Sequence, residues 1–308
     1  MSKILQRILS ELDSDGHGLI DKLQALSPSD FNSFMLEVYQ SKVDRMQPSE
    51  MLSNFANNRF AAPSEIDPVT YHRFEADILA LAKQQEITPV LLSPVAPLGN
   101  CSVYGTVDQK KVVSATRGTE VLSDPTNMLA TIIADKIKRE EFDNRKGVHC
   151  CATSRVTRAQ FFSGANFFAH FGVYGIVSSG KDRGSYQCEY ELLAKQLSFY
   201  ETLFHSRYDA GLSIAIRQRG GYSDSDGFFS RMLAFMRERL PDIPITVEEP
   251  DFDNVYYKGM NFKIFMTAGN EKIEIGDGGF VDWTQKMLGN KKERCLISGI
   301  GIDRLLMM

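Results

Sequence analysis

Apolar residues recur at helical spacing near the start of the chain, with Ile4, Leu5, Ile8, Leu9 and Leu12 along one face of residues 3–12. A second such stretch follows Ser27 and carries Phe31, Phe34, Met35 and Val38. A hydroxyl at Ser27, a proline at 28 and an acid at 30 predict a helix start there, because the hydroxyl accepts from free amide groups of the first turn. The run QPSEMLSNFANNRFAAPSEIDP, residues 47–68, is polar and irregular and reads as a connection. A third helix is expected after Asp67 and Pro68, with Phe74, Ile78 and Leu81 on its apolar side. These patterns divide the chain near Ala62 into a small N-terminal helical extension, residues 1–62, and a larger unit, residues 63–308.

In the larger unit short apolar runs alternate with helical ones. Strands are expected at 87–92, 102–107, 111–116, 149–156, 168–178, 211–218, 261–269, 271–277 and 294–299, each rich in β-branched and aromatic residues. Helices are expected at 126–139, 186–204 and 225–239, where Leu192, Leu193, Leu197 and Tyr200, or Phe228, Met232, Phe235 and Met236, share a face. Several strands follow one another across turns of only a few residues, such as Asp108 to Lys110 and Gly269 to Asn270. A parallel pair needs a long crossover, so this spacing predicts an α+β fold with an antiparallel sheet flanked by helices.

Composition narrows the function. The 308 residues carry a net charge of −4 with lysine and arginine dispersed, which disfavours a broad nucleic-acid face. Five cysteines without CxxC spacing read as reduced thiols rather than as a disulfide framework or a metal site. No apolar run is long enough to cross a membrane, and the N-terminus lacks a signal-peptide core, so a cytoplasmic protein is expected. The stretch DSDGHGLIDKLQ, residues 13–24, imitates a calcium loop with Asp13, Asp15, Gly18 and Asp21. Its twelfth position is Gln24, which cannot supply the bidentate carboxylate, so it reads as a glycine-rich turn between helices. No metal site is assigned.

The C-terminal stretch GIGIDRLLMM carries more chemistry. Gly299 and Gly301 let backbone pass close to a ligand, and Arg304 follows in the first turn of a helix, where a planar cation could reach a phosphate. An equally simple reading is a tight strand-to-helix turn with Arg304 in an ion pair. The stretch resembles the third signature motif of class II aminoacyl-tRNA synthetases, and upstream segments resemble the same family in order. FEADILALAKQQEITPVLLSP is similar to the first motif, with Pro89; EVLSDPTNMLATIIA to the segment bordering the amino-acid pocket; SRVTRAQFFSGANFFAHFGVYG to the second motif; NVYYKGMNFKIF and IGDGGFVDW to segments closing a histidine site. Histidyl-tRNA synthetase and the regulatory subunit of ATP phosphoribosyltransferase are the nearest resemblances.

The resemblance implies a class II core over residues 63–308, a two-fold dimer through the first motif and a site for ATP with Mg2+. Arg155 and Arg304 are implied as catalytic, contacting phosphates, with Arg158, Gly299 and Gly301 also at the nucleotide. Asp124, Thr126, His170, Tyr174, Tyr256, Tyr257 and Asp282 are implied around the small-molecule ligand. The chain departs from the family at Thr157, His170, Tyr174, Phe252, Val255, Phe280 and Val281, which stand where polar or charged residues are usual. Removing one preorganised donor from a site that stabilises developing negative charge costs ~3 to 4 kcal/mol, or about 100-fold to 1000-fold in rate, so Phe252 at an arginine position argues against normal histidine activation. With the sequence stopping after the third motif, no anticodon-binding domain is expected, which together with the mild negative charge argues against tight tRNA binding. The expectation is therefore a paralogue that does not charge tRNA and binds ATP or an amino-acid-like ligand in a regulatory or accessory role, with a possible protein partner. The alternatives are an active adenylating ligase with a different acid substrate and a non-tRNA acceptor, and a structural homodimer whose pocket is closed by Phe280 and Trp283. Cys150 and Cys151, adjacent on a strand, must face opposite ways and read as buried thiols.

Overall fold

A computed structural model describes residues 2–12, 18–160, 169–268 and 271–307. Four helices come first: α1 (Lys3–Leu12), α2 (Gly18–Gln24), α3 (Pro28–Val43) and α4 (Pro48–Asn57). Ser27 caps α3 by accepting from the Asp30 amide, as its sequence predicted. The run read as a connection holds α4, which starts on Pro48 with the Gln47 amide donating to Glu50 Oε2 at 3.2 Å, a local capping contact that outweighs the polar composition. Across these four helices Leu9 is the buried side chain among the described residues. Residues 13–17 of the calcium-like stretch lie outside the described residues, and Gly18–Gln24 is helical.

The larger unit begins with α5 (Pro68–Gln84), capped by Asp67, and continues through β1 (Thr88–Pro89), β2 (Val95–Pro97) and β3 (Thr119–Val121). The expected strands over 102–107 and 111–116 do not form. Thr106 takes a left-handed backbone (φ 59°), and a Cβ at Gly105 would lie 2.7 Å from the Cys101 carbonyl oxygen, so the chain turns tightly there despite its β-forming residues. Then follow α6 (Pro125–Lys138), β4 (Val148–Thr157), β5 (His170–Lys181), α7 (Gln187–Tyr208), β6 (Gly211–Gln218), α8 (Ser225–Arg239) and β7 (Ile245–Glu248). The chain closes with β8 (Lys258–Ala268), β9 (Glu271–Val281), α9 (Trp283–Leu288), β10 (Glu293–Gly301) and α10 (Ile302–Leu306).

Eight strands form one sheet in the order β1-β4-β5-β10-β9-β8-β6-β7, antiparallel except for the edge pairs β1 with β4 and β6 with β7. This is the expected α+β architecture. Alternation along each strand separates two faces. On one face Cys151, Tyr174, Ile176, Leu296, Ile300 and Phe262 pack under α5, α7 and α8 in the main core. A buried polar chain ties α7 to this face: Gln196 Nε2 donates to Ser178 Oγ (2.9 Å), Ser298 Oγ donates to Gln196 Oε1 (2.7 Å), and Ser298 Oγ shares a hydrogen bond with Tyr200 Oη (2.8 Å). On the other face Cys150, Ala152, Val177, Cys295 and Ile297 pack against α6 and Trp283. Cys150 and Cys151 thus divide between the faces as expected, and burial pushes their thiols up to about 11 and about 12.

Candidate active site

The second face of the sheet is only partly covered, and the uncovered part is a cavity of about 1160 Å³. Its floor is main chain from β9 and β10. A Cβ at Gly276 would lie 1.9 Å from the Gly299 carbonyl oxygen, so no side chain can stand there. Gly299 and Gly301 line the same floor. α6 begins at one wall. A Cβ at Gly175 would come within 2.9 Å of Pro125, so a glycine on β5 lets the helix start sit directly on the sheet. Asp124 caps that helix, with Oδ1 accepting from the Thr126 amide (2.8 Å) and hydroxyl (2.7 Å).

The cations of the cleft are Arg158, Arg304 and Lys111. Arg158 Nη2 pairs with Asp124 Oδ2 at 3.4 Å, its Nε donates to the Ser123 carbonyl, and its guanidinium lies 5.1 Å from the Phe171 ring centroid. Arg304 Nη1 donates to the Glu274 carbonyl oxygen at 2.6 Å and is otherwise exposed to the cleft. The lining also includes two tyrosines and an acid. Tyr256 and Tyr257 meet edge to face at 4.8 Å, Trp283 packs behind Tyr256 at 5.7 Å, and the Tyr257 hydroxyl donates to Asp277 Oδ2 at 2.8 Å. Asp277 is exposed to the cleft. Partial desolvation by the surrounding protein raises its pKa; the Tyr257 hydrogen bond opposes the rise, the Asp124 charge adds to it, and the Arg158 charge opposes it. Burial likewise drives both tyrosine hydroxyls well above their ordinary range. Cys101, which also lines the cleft, is pushed up to about 12 by burial, so it is a thiol rather than a nucleophilic thiolate.

Of the residues singled out in the sequence, Arg158, Gly299, Gly301, Arg304, Asp124, Thr126, Tyr256 and Tyr257 line this one cleft. Arg155, His170, Tyr174 and Asp282 are not. Ala152 and Val156 face the cleft side of β4, so Arg155, one residue before Val156, points to the other face, and the cleft side returns at Arg158. Arg155 pairs with Asp303 at 3.3 Å, contacts His170 Nδ1 at 2.9 Å and lies over the Tyr71 ring. His170 Nε2 donates to the Ala62 carbonyl oxygen at 2.6 Å, which leaves Nδ1 to accept from Arg155. Tyr174 is fully buried in the main core and stacks on Phe199. Asp282 precedes α9 and pairs with Lys286 and Lys258 instead of lining the cleft.

Phe252 and Val255, at the family's polar positions, are exposed and outside the lining. The alternative in which Phe280 and Trp283 close the pocket is not met. Phe280 faces the main core against Phe228, and Trp283 backs Tyr256 while the cleft stays open. The second motif's intervening loop, residues 161–168, lies outside the described residues. Sequence reasoning missed Asp277, Glu274, Phe171, Asn127 and Lys111. The signal for Asp277 was its place opposite Gly299 across the β9–β10 pair. Among the described residues no group of three or more His, Cys, Asp or Glu side chains is disposed to hold a metal, and no helix is long and apolar enough to cross a membrane.

No family model matches the chain, and no curated protein matches it in sequence. Solved structures do match its shape. Apo histidyl-tRNA synthetase from S. aureus superposes with a TM-score of 0.57 at 14% identity, covering 79% of this chain and 67% of that one. The RNA-binding domain of threonyl-tRNA synthetase from Cryptosporidium parvum Iowa II gives 0.59 at 10% identity, covering 76% of this chain and 62% of that one. An ATP phosphoribosyltransferase regulatory subunit/histidyl-tRNA synthetase from Bacillus halodurans C gives 0.53 at 13% identity, with 82% of both chains covered. At these identities the likeness establishes the fold, which is that of the class II synthetase core. The chain spans about two thirds of the length of the first two.

Proposed function

We propose that this chain, built on a class II synthetase-like fold, binds ATP with Mg2+ and an amino-acid-like ligand in its open cleft, in a regulatory or accessory role without charging tRNA. The observation that carries the reading is the convergence of Arg158 and Arg304, from β4's end and α10, on one cavity floored by glycine backbone. The donor set fits a nucleotide triphosphate: guanidinium groups bind phosphate oxygens in planar, multi-donor fashion, and Phe171 beside Arg158 offers a flat apolar surface for a base. Mg2+ bound mainly through phosphates needs only one or two protein carboxylates, and Glu274 beside Arg304 supplies one. The departures at Phe252 and Val255 support the accessory role, because both side chains lie outside the cleft and contribute no polar contact to it.

The test is titration calorimetry with ATP and Mg2+, followed by pyrophosphate exchange over a panel of amino acids. Binding should be present in the wild type and weakened by about tenfold or more in Arg158→Ala and Arg304→Ala, the loss of one charge-assisted contact being worth ~1.5 to 3 kcal/mol. Absence of ATP binding refutes the reading. Robust exchange dependent on one amino acid replaces the accessory role with that of an adenylating ligase.

A further inference from the structure

Arg158 stands just past the end of β4. Its amide donates to the Ala169 carbonyl oxygen at 2.9 Å, one pair beyond the last ladder pair, Thr157 with His170. The side chain is 43% exposed, and its polar contacts are long, 3.4 Å to Asp124 and 3.3 Å to the Ser123 carbonyl oxygen. Contacts of that length are weak, so where the guanidinium sits depends on how its main chain is held.

The segment joining α4 to α5 holds that main chain, although neither Arg59 nor Ala62 lines the cleft. Arg59 Nη2 donates to the carbonyl oxygen of Ala159, next to Arg158 on one strand, at 2.5 Å. The Ala62 carbonyl oxygen accepts from His170 Nε2, next to Ala169 on the other strand, at 2.6 Å. Residues 59–62 therefore bracket the Arg158–Ala169 pair from both sides. On α3, Asn32 Oδ1 adds a tether by accepting from the Arg117 amide at 2.5 Å.

A second observation is how lightly the rest of the extension is packed. Among the described residues of α1 to α4 Leu9 alone is buried, while Phe31, Phe34, Met51 and Phe55 stay exposed. A unit that removes so little apolar surface from water detaches at low free-energy cost, and directed polar contacts then decide whether it stays docked.

We infer that the N-terminal extension regulates the nucleotide site: docked, its linker fixes Arg158 for phosphate, and released, it frees that arginine and ATP affinity falls. The inference rests on reading the cleft as an ATP site, and it adds a control element to that site. Arg59 is the positioning residue and acts through Arg158. The coupling is reciprocal, so bound ATP holds the linker in place.

The test is ATP calorimetry on the full chain in wild type, Arg59→Ala, Arg158→Ala and the double variant, with hydrogen exchange across residues 59–62 measured with and without ATP. Arg59→Ala should weaken ATP binding about fivefold. In the Arg158→Ala background it should change nothing more, because its effect passes through that side chain, whereas a merely structural residue would cost the same in both. Saturating ATP should slow linker exchange in the wild type. Equal or tighter ATP binding in Arg59→Ala overturns the inference, as does an undiminished effect in the Arg158→Ala background or linker exchange indifferent to ATP. Each of these outcomes leaves the ATP site standing. Failure of the wild type to bind ATP overturns the site and its control together. Should Arg59→Ala not fold, the exchange measurement on the wild type decides alone.

Discussion

Arg155→Ala separates a structural arginine from a phosphate-binding one. Its partner Asp303 is 8% exposed at the side chain and keeps a second bond, accepting from the Gly172 amide at 2.7 Å, while Arg155 itself is 33% exposed. A hydrogen bond to a charged group contributes ~1.5 to 3 kcal/mol, but here the N–O contacts are 3.3 and 3.4 Å and water reaches the arginine. The lower half of that range applies, and the loss of the cation over Tyr71 adds ~0.5 kcal/mol. Arg155→Ala should therefore cost roughly 2 kcal/mol. Asp303→Ala should cost more, because the buried Gly172 amide also loses its acceptor, a further ~1 to 3 kcal/mol. The double variant should fall short of the sum by about 1 to 2 kcal/mol, the coupling of the pair. Urea unfolding followed by circular dichroism measures all four proteins, and ATP calorimetry on the folded variants completes the assay. ATP affinity should survive Arg155→Ala and fall in Arg158→Ala. An unchanged urea midpoint together with lost ATP binding in Arg155→Ala would show that the side chain works in the cleft, and the assignment of faces along β4 would be wrong.

Two further outcomes follow from buried titratable groups. Burial, with Lys195 adding to the effect, pulls His149 down to about 4, so on acidification the unfolded chain takes its proton first. No penalty arises above the ordinary histidine value, stability drains away as pH falls from about 6.5 toward about 4, and the loss levels off below that. The full displacement corresponds to ~3 kcal/mol before solvent screening. Urea midpoints between pH 7.5 and 4.5 should fall more steeply for the wild type than for His149→Gln, and parallel slopes would refute the assignment. The five cysteines are all buried, and the four with thiols raised to about 11 or about 12 include Cys101 in the cleft. Native protein should react with an aromatic disulfide reagent at pH 7.5 far more slowly than denatured protein; prompt labelling of Cys101 would contradict its buried, uncharged state.

Much of the fold was legible because local signals agreed with the tertiary outcome. GLSIAIRQ became β6 and the helix expected at 225–239 became α8 with the same limits, each having a clean period and flanking punctuation. The strands expected at 102–116 failed where β-forming residues met a left-handed Thr106 and a crowded Gly105. The site was legible at α6 and at the chain's last motif, where caps and glycines mark the backbone. It was illegible along β4 and β5. Alternation says that Arg155 and Arg158 face opposite ways without saying which way is inward, and only packing against α5 and α6 decides. Asp277 escaped notice since one acid among glycines carries no period, and its meaning comes from Tyr257, twenty residues away, closing on it.

The glycine floor has a consequence for how this cleft can change. Side chains adapt to a visitor by switching rotamers and lose that freedom when the visitor stays. Main chain from β9 and β10, held on both sides by neighbouring strands, has no rotamers to switch and little freedom to surrender. Any ligand resting there meets a fixed mould, and any substitution at Gly276 deforms the sheet before it reshapes the cleft. Diversification of what this protein holds is therefore confined to its walls, where Arg158, Asp277 and Tyr256 can be exchanged one at a time over a base that stays the same.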